Sequence, residues 1–123
     1  MAERSLEDCR ILIAEDEYFL ADELRTEFSR AGAIVLGPVG TVAAALDLIR
    51  SEPRIDAAIL DLNLRGEMAL PAAELLAERA VPFVFTTGYE RSAIPARFAG
   101  IVRCEKPLDL RKVTRAIGRE IHA

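Results

Sequence analysis

Short apolar runs alternate with helix-like segments along the whole chain, and this alternation leaves few ways to fold it. Residues 9–14 (CRILIA) form an apolar run that ends in acids, the pattern of a buried strand. From Glu17 the period changes. Leu20, Leu24 and Phe28 recur every four residues among charged neighbours, which predicts an amphipathic helix ended by Gly32. Residues 33–37 (AIVLG) predict a second strand. Thr41 can cap a helix with Val42, Ala45 and Ile49 as its apolar stripe, and Pro53 stops it. Residues 55–60 (IDAAIL) predict a third strand, ending at Asp61. Residues 71–80 are helical by their Ala, Leu and Glu content, and residues 82–86 (PFVFT) are aromatic and β-branched, as strands prefer. A short helix over 92–98, a strand over 100–104 (GIVRC) and a closing helix over 108–121 complete the series. The fold class expected is α/β, with five strands and five helices forming a parallel sheet covered on both faces through right-handed crossovers.

Composition narrows the function. The chain has 123 residues, the size of one domain, and 51% of them are hydrophobic, enough for a core. It carries 16 Lys and Arg against 20 Asp and Glu, so it lacks the electrostatic footprint of a nucleic-acid binder. Arg103, Lys106, Arg111, Lys112, Arg115 and Arg119 crowd the C-terminal end and are read as a solvated helix face ahead of the alternative, a basic docking patch. No apolar run approaches the ~20 residues that span a bilayer, and the first ten residues lack a secretory pattern. A cytoplasmic protein that does not engage membranes is expected. Cys9 and Cys104 are then free thiols, and with His122 far away they do not suggest zinc.

In open α/β sheets, ligands sit beyond the carboxyl ends of strands. The residues there are Glu15, Asp16 and Glu17 after the first strand, Asp61 after the third, Thr86 and Thr87 after the fourth, and Lys106 after the fifth. Carboxylates gathered at one edge repel, and a cation relieves that cost. An all-oxygen set suits Mg²⁺, which keeps several waters and borrows phosphate oxygens. The set fits phosphoryl transfer, which needs an in-line nucleophile and positive charge around the equatorial oxygens. Asp61 is the nucleophile in this reading, Mg²⁺ and Lys106 neutralise developing charge, and Thr87 donates a hydroxyl to the attached group. Gly88 permits close backbone approach beside Thr87. Glu17 is read as a solvated acid at a helix start.

The segments ILIAEDE at 11–17, AILDLNL at 58–64, FTTGYE at 85–90 and CEKP at 104–107 resemble, in order, the receiver domains of bacterial two-component response regulators. The resemblance covers the whole chain. It implies a flavodoxin-like strand order 2-1-3-4-5 and one receiver domain over 1–123 without an output domain. It also implies Mg²⁺ on Glu15, Asp16 and Asp61, with the backbone carbonyl of Asn63 as a further ligand. Asp61 is the phosphorylated residue, Thr87 the switch hydroxyl and Lys106 the invariant lysine, followed by Pro107. The phosphoryl donor implied is a sensor histidine kinase or a histidine phosphotransfer protein. The downstream protein is unnamed, and the expected state is a monomer or weak homodimer.

Two departures stand out. Leu64-Arg65-Gly66 replaces the usual Met-Pro-Gly after the phosphorylated Asp, and Arg103 replaces the aromatic residue common on the last strand. FTTGY is close to the motif of the FATGUY subgroup, which also lacks that aromatic and is often single-domain; Tyr89 belongs to it. Two other functions compete. One is a pseudo-receiver that binds partners without phosphorylation. The other is an enzyme resembling haloacid-dehalogenase phosphatases, but that family wants a second Asp where Asn63 stands. Neither GxxxxGK[ST] nor GxGxxG is present. The protein is expected to be no enzyme beyond its own phosphorylation and dephosphorylation.

Overall fold

The computed structural model describes residues 6–88 and 94–123. Strand β1 (Arg10–Ala14) lies at the centre, and helix α1 (Tyr18–Arg30) follows it. Ala21, Leu24 and Phe28 are the buried stripe of α1. The helix ends where sequence places its end: Gly32 sits at φ +92°, its N–H donates to the Ser29 carbonyl, and Ala33 N–H donates to Phe28. This paired closure needs a left-handed residue, which glycine adopts without strain. Strand β2 (Ile34–Val39) and helix α2 (Val42–Ser51) come next, with the Thr41 hydroxyl accepting from Ala44 N–H at 3.0 Å as the N-cap.

Strand β3 (Ala57–Asp61) is buried throughout. A small antiparallel hairpin, β4 (Asn63–Leu64) and β5 (Glu67–Met68), precedes helix α3 (Leu70–Glu78). Strand β6 (Phe83–Thr87), strand β7 (Arg103–Glu105) and helix α4 (Leu110–Ile121) close the chain. The main sheet is parallel with the order β2-β1-β3-β6-β7, the flavodoxin-like arrangement.

Two corrections follow. The described part of 92–98 holds no α-helix. It contains a single 3-10 turn, Ala96–Phe98, while Ser92 lies outside the described residues. Pro95 is extended (φ −60°, ψ 154°), and a proline disfavours helical backbone in the residue before it. The described residues therefore hold four α-helices rather than five. The second strand also runs past Gly37 to Val39. Its register against β1 shifts between Leu12 and Ala14, where β2 carries one extra residue. This bulge lodges Pro38 on an edge strand, where a missing N–H is tolerated. Gly37 sits there at φ +92°, and a Cβ on it would come within 2.9 Å of the Ile13 carbonyl oxygen.

The sheet buries side chains on both faces. Leu12, Leu36, Leu60, Phe83 and Phe85 pack with Val42, Ile49 and Leu76 on one side. Ile11, Ile13, Ile59 and Val84 pack with Leu24, Phe28, Val113 and Ile117 on the other. Alternate residues of one strand thus feed opposite cores, the period-2 geometry of a strand covered on both sides. Among the described residues no helix is long and apolar enough to cross a membrane.

Candidate functional site

Four strands deliver their carboxyl ends to one edge. Glu15 and Asp16 follow β1, Asp61 is the last residue of β3, Thr87 is the last of β6, and Lys106 follows β7. The bulge aims the first pair, because beyond it Glu15 N–H donates to the Val39 carbonyl at 2.8 Å. The last pair is tied by Lys106 N–H, which donates to the Thr87 carbonyl at 2.8 Å. Asp61 is in register with Thr86.

The Lys106 ammonium stands over three carboxylates. Nζ lies 2.7 Å from Asp61 Oδ2, 2.8 Å from Glu17 Oε2 and 3.2 Å from Glu15. Asp61 Oδ1 accepts the backbone N–H of Asn63 at 3.1 Å. Asp16 Oδ2 accepts the backbone N–H of Arg65 at 2.9 Å, tying the β4–β5 hairpin to the acid pair. Asn63 Oδ1 accepts Gly66 N–H at 2.8 Å inside that hairpin. Arg65 and Gly66 both have positive φ, as a two-residue type I′ turn requires. So Leu64-Arg65-Gly66, the departure in the sequence, forms a tight turn that packs one backbone N–H against Asp16.

Burial sets the electrostatics. Glu15 is only 3% exposed. Desolvation pushes its carboxyl up from the ordinary 4.5 to about 8, against the Glu17 backbone N–H, while the Asp61 charge adds to the rise and Lys106 opposes it. Burial works against the charge on Lys106 too, but its hydrogen bonds to Asp61 and Glu17 more than offset this and hold its pKa above the usual lysine value.

One oxygen each from Glu15, Asp16 and Asp61 lies within 4.8 Å of the others. Glu15 Oε1 is buried and accepts no hydrogen bond, its near neighbour being the Lys106 ammonium at 3.2 Å, so it keeps acceptor capacity that a cation can use. Three hard oxygen donors of this kind fit Mg²⁺, which uses few protein ligands and retains water. The cleft above them is lined by Asp16, Glu17, Asp61, Asn63, Gly88 and Lys106, with Phe19 on its rim. Phe19 is exposed there, and the exposed ring of Tyr18 packs edge to face against it, 5.3 Å between centroids.

The structure therefore brings Glu15, Asp16, Asp61, Asn63 and Lys106 to one cleft. Thr87 is buried one strand over, at the same edge. Arg103 is exposed on β7, and Tyr89 lies outside the described residues. Sequence reasoning missed Glu17. It is an exposed acid at the start of α1, as read, but its side chain also pairs with Lys106. The available signal was its position, since glutamate is a poor N-cap residue and Glu17 makes no side-chain cap bond to α1. The fully buried hydroxyl of Thr86, beside Thr87, has no hydrogen-bond partner among the described residues.

No family model and no curated protein matches the chain. Solved structures do. The solution structure of SdrG from Sphingomonas melonis Fr1 is 39% identical, covers 89% of this chain and 96% of its own, and superposes with a TM-score of 0.76. The BeF3-activated conformation of SdrG from Pseudomonas melonis Fr1 is also 39% identical over 94% of this chain and 96% of its own, with a TM-score of 0.72. The signal receiver domain of a modulated diguanylate cyclase from Desulfovibrio desulfuricans G20 is 26% identical over 94% of this chain and 95% of its own, with a TM-score of 0.76. A response regulator receiver protein from Sinorhizobium medicae WSM419, 24% identical over 97% of this chain and 98% of its own, shares the fold with a TM-score of 0.81. With one relative 39% identical along nearly all of its length and a receiver domain at 26%, the chain belongs to the response regulator receiver domains.

Proposed function

We infer that the protein is a cytoplasmic phosphoacceptor switch in which Asp61 takes a phosphoryl group from the phosphohistidine of a sensor kinase or phosphotransfer protein. The observation that carries this reading is the placement of Asp61. It is buried at a strand end, 2.7 Å from an ammonium and within 4.8 Å of two further carboxylates that can share a cation with it. Transfer is a balanced displacement. An Asp61 oxygen attacks phosphorus, the O–P bond forms, the P–N bond breaks, and the imidazole nitrogen keeps the electron pair and takes a proton from water. Mg²⁺ on Glu15, Asp16, Asp61 and the Asn63 carbonyl would supply positive charge to the equatorial oxygens.

The chain's own groups do the rest. Lys106, bonded to Asp61 and reaching Glu15 as well, neutralises charge on the transferred group. The Asn63 N–H orients the Asp61 carboxylate, leaving Oδ2 toward the ammonium. Thr87, at the next strand end, is the hydroxyl we assign to the attached group. The exposed ring of Phe19, with Tyr18 packed against it, gives a docking donor apolar area at the cleft rim. Support for the chemistry comes from SdrG, whose related structure is described as BeF3-activated. The receiver takes part in its own phosphorylation and dephosphorylation and turns over no separate substrate.

Incubation with acetyl phosphate and Mg²⁺ tests the reading by intact mass. The protein is expected to gain one phosphoryl group, and Asp61→Asn to gain none while keeping its circular dichroism. Labelling of Asp61→Asn at the wild-type level would refute the assignment. No gain by the wild type would favour a module that binds partners without phosphorylation.

A further inference from the structure

Lys106 has three N–H donors, and all three are taken in the resting protein. They go to Asp61 at 2.7 Å, Glu17 at 2.8 Å and Glu15 at 3.2 Å. A phosphoryl group on Asp61 brings three strong acceptor oxygens and close to two negative charges into the same cleft. The donor that Asp61 held passes to that group, since the acyl phosphate is no longer a carboxylate, and for Lys106 to make a second bond to it Glu15 or Glu17 must let go.

The three carboxylates are not equivalent. The side chains of Glu15 and Asp61 are 0% and 5% exposed, while that of Glu17 is 62% exposed. Taking the ammonium from Glu15 leaves a fully buried acceptor without that partner and out of reach of water, which is expensive. Releasing Glu17 is cheap, because water replaces the bond. Glu17 is also a free agent with respect to the helix, since it occupies the N-cap of α1 without bonding any backbone N–H through its side chain. Its backbone N–H, by contrast, donates to Glu15 Oε2 at 2.9 Å, and that contact persists whatever the side chain does.

We propose that Glu17 is a positioning residue that holds Lys106 in the resting protein and competes with the phosphoryl group for it. The inference rests on the reading of Asp61 as the acceptor. Phosphorylation moves the third donor of Lys106 from Glu17 to a phosphoryl oxygen, and the new charge repels the Glu17 carboxylate toward solvent. The carboxylate therefore raises the free energy of the phosphorylated state, and its removal favours that state.

Binding of beryllofluoride at saturating Mg²⁺ reads this directly, followed by backbone NMR of the wild type, Glu17→Gln and Glu23→Gln. Glu23 lines the same cleft and provides an equal change in charge without touching Lys106. Glu17→Gln is expected to bind the mimic roughly two- to fivefold more tightly, the range that an exposed ion pair supports. Glu23→Gln is expected to stay near the wild type. If the wild type itself shows no beryllofluoride-dependent change at Asp61, the reading of Asp61 fails and takes this inference with it. If the wild type binds but Glu17→Gln binds equally or more weakly, only the inference falls. An equal gain in Glu23→Gln also overturns it, because the effect is then diffuse charge rather than competition for Lys106.

Discussion

Glu15 carries the largest electrostatic tension in the molecule. Its carboxyl is buried among other acids, and its proton is held up to about pH 8 where an ordinary glutamate releases it near 4.5. The folded state thus binds this proton more tightly than the unfolded state does. The resulting stabilisation is complete below 4.5, drains away as pH rises from 4.5 toward 8, and is gone above that window. A cation at the carboxylate cluster reverses the preference, since it favours the charged form. Urea titrations at about pH 5.5 and about pH 8 check this, with a slope for one proton of at most ~1.4 kcal/mol per pH unit. Stability without Mg²⁺ is expected to fall between the two, Mg²⁺ to stabilise more at the higher pH, and Glu15→Gln to flatten the dependence. A metal-free protein that grows more stable over that interval would contradict the account of Glu15. At this scale the apolar runs marked the strand ends, which is why Glu15 and Asp61 could be placed at one edge from sequence. They could not name the Glu17–Lys106 pair, which depends on how the turn after β1 aims a side chain across the sheet edge.

Punctuation residues made most of the elements legible. Gly32 closes α1, Thr41 opens α2 and Pro53 follows its end, each through a local backbone rule that needs no tertiary knowledge. Thr41 gives a clean test. Its hydroxyl is the side-chain acceptor for Ala44 N–H, so Thr41→Ala is expected to cost about 1 kcal/mol in urea denaturation, with Thr41→Ser near the wild type. An unchanged midpoint in the alanine variant would show that water caps α2 equally well. Elements shaped by long-range contacts stayed hidden. The β4–β5 hairpin has strands of two residues, too short for a period, and an Arg-Gly turn in place of the usual Asn-Gly. Its Arg65 N–H is held by Asp16, which is distant in sequence. The strand expected over 33–37 continues through the bulge at Gly37 and Pro38 to Val39, and the apolar run carries no sign of it because proline ordinarily argues against a strand interior. Within the described residues 94–98 the helical composition lost to Pro95, and the buried ring of Phe98 is placed by Phe83 and Phe85, 6.2 and 6.1 Å away, rather than by a helical stripe.

The whole molecule is a sheet shared by two cores, which explains why alternation alone revealed its architecture. Runs such as ILIA and AAIL are apolar at every position because both faces are covered, so they cannot be half-exposed strands. The same sharing makes the cores mechanically one. Ile11 and Ile13 belong to the side of α1 and α4, while Leu12 and Ala14 belong to the side of α2 and α3. Loss of either core frees one face of β1 and β3 and removes the platform for the other. Leu24 and Leu76 are both 0% exposed and sit in opposite cores. Leu24→Ala and Leu76→Ala are each expected to cost about 2–5 kcal/mol through lost transfer energy and the cavity left behind. Separated by the sheet and sharing no partner, they are expected to add within roughly 0.5 kcal/mol in the double variant, provided enough stability remains to measure it. Each variant is expected to unfold in one transition with an unchanged denaturant slope, because no intermediate can keep one face of a shared strand packed. A second transition in either single variant, seen by far-ultraviolet circular dichroism and amide exchange together, would show that the faces unfold apart. Phosphorylation at the sheet edge could then reach only one of them. A single transition instead makes Asp61, at the end of the strand both cores grip, a point from which a change in charge is felt on both sides of the sheet.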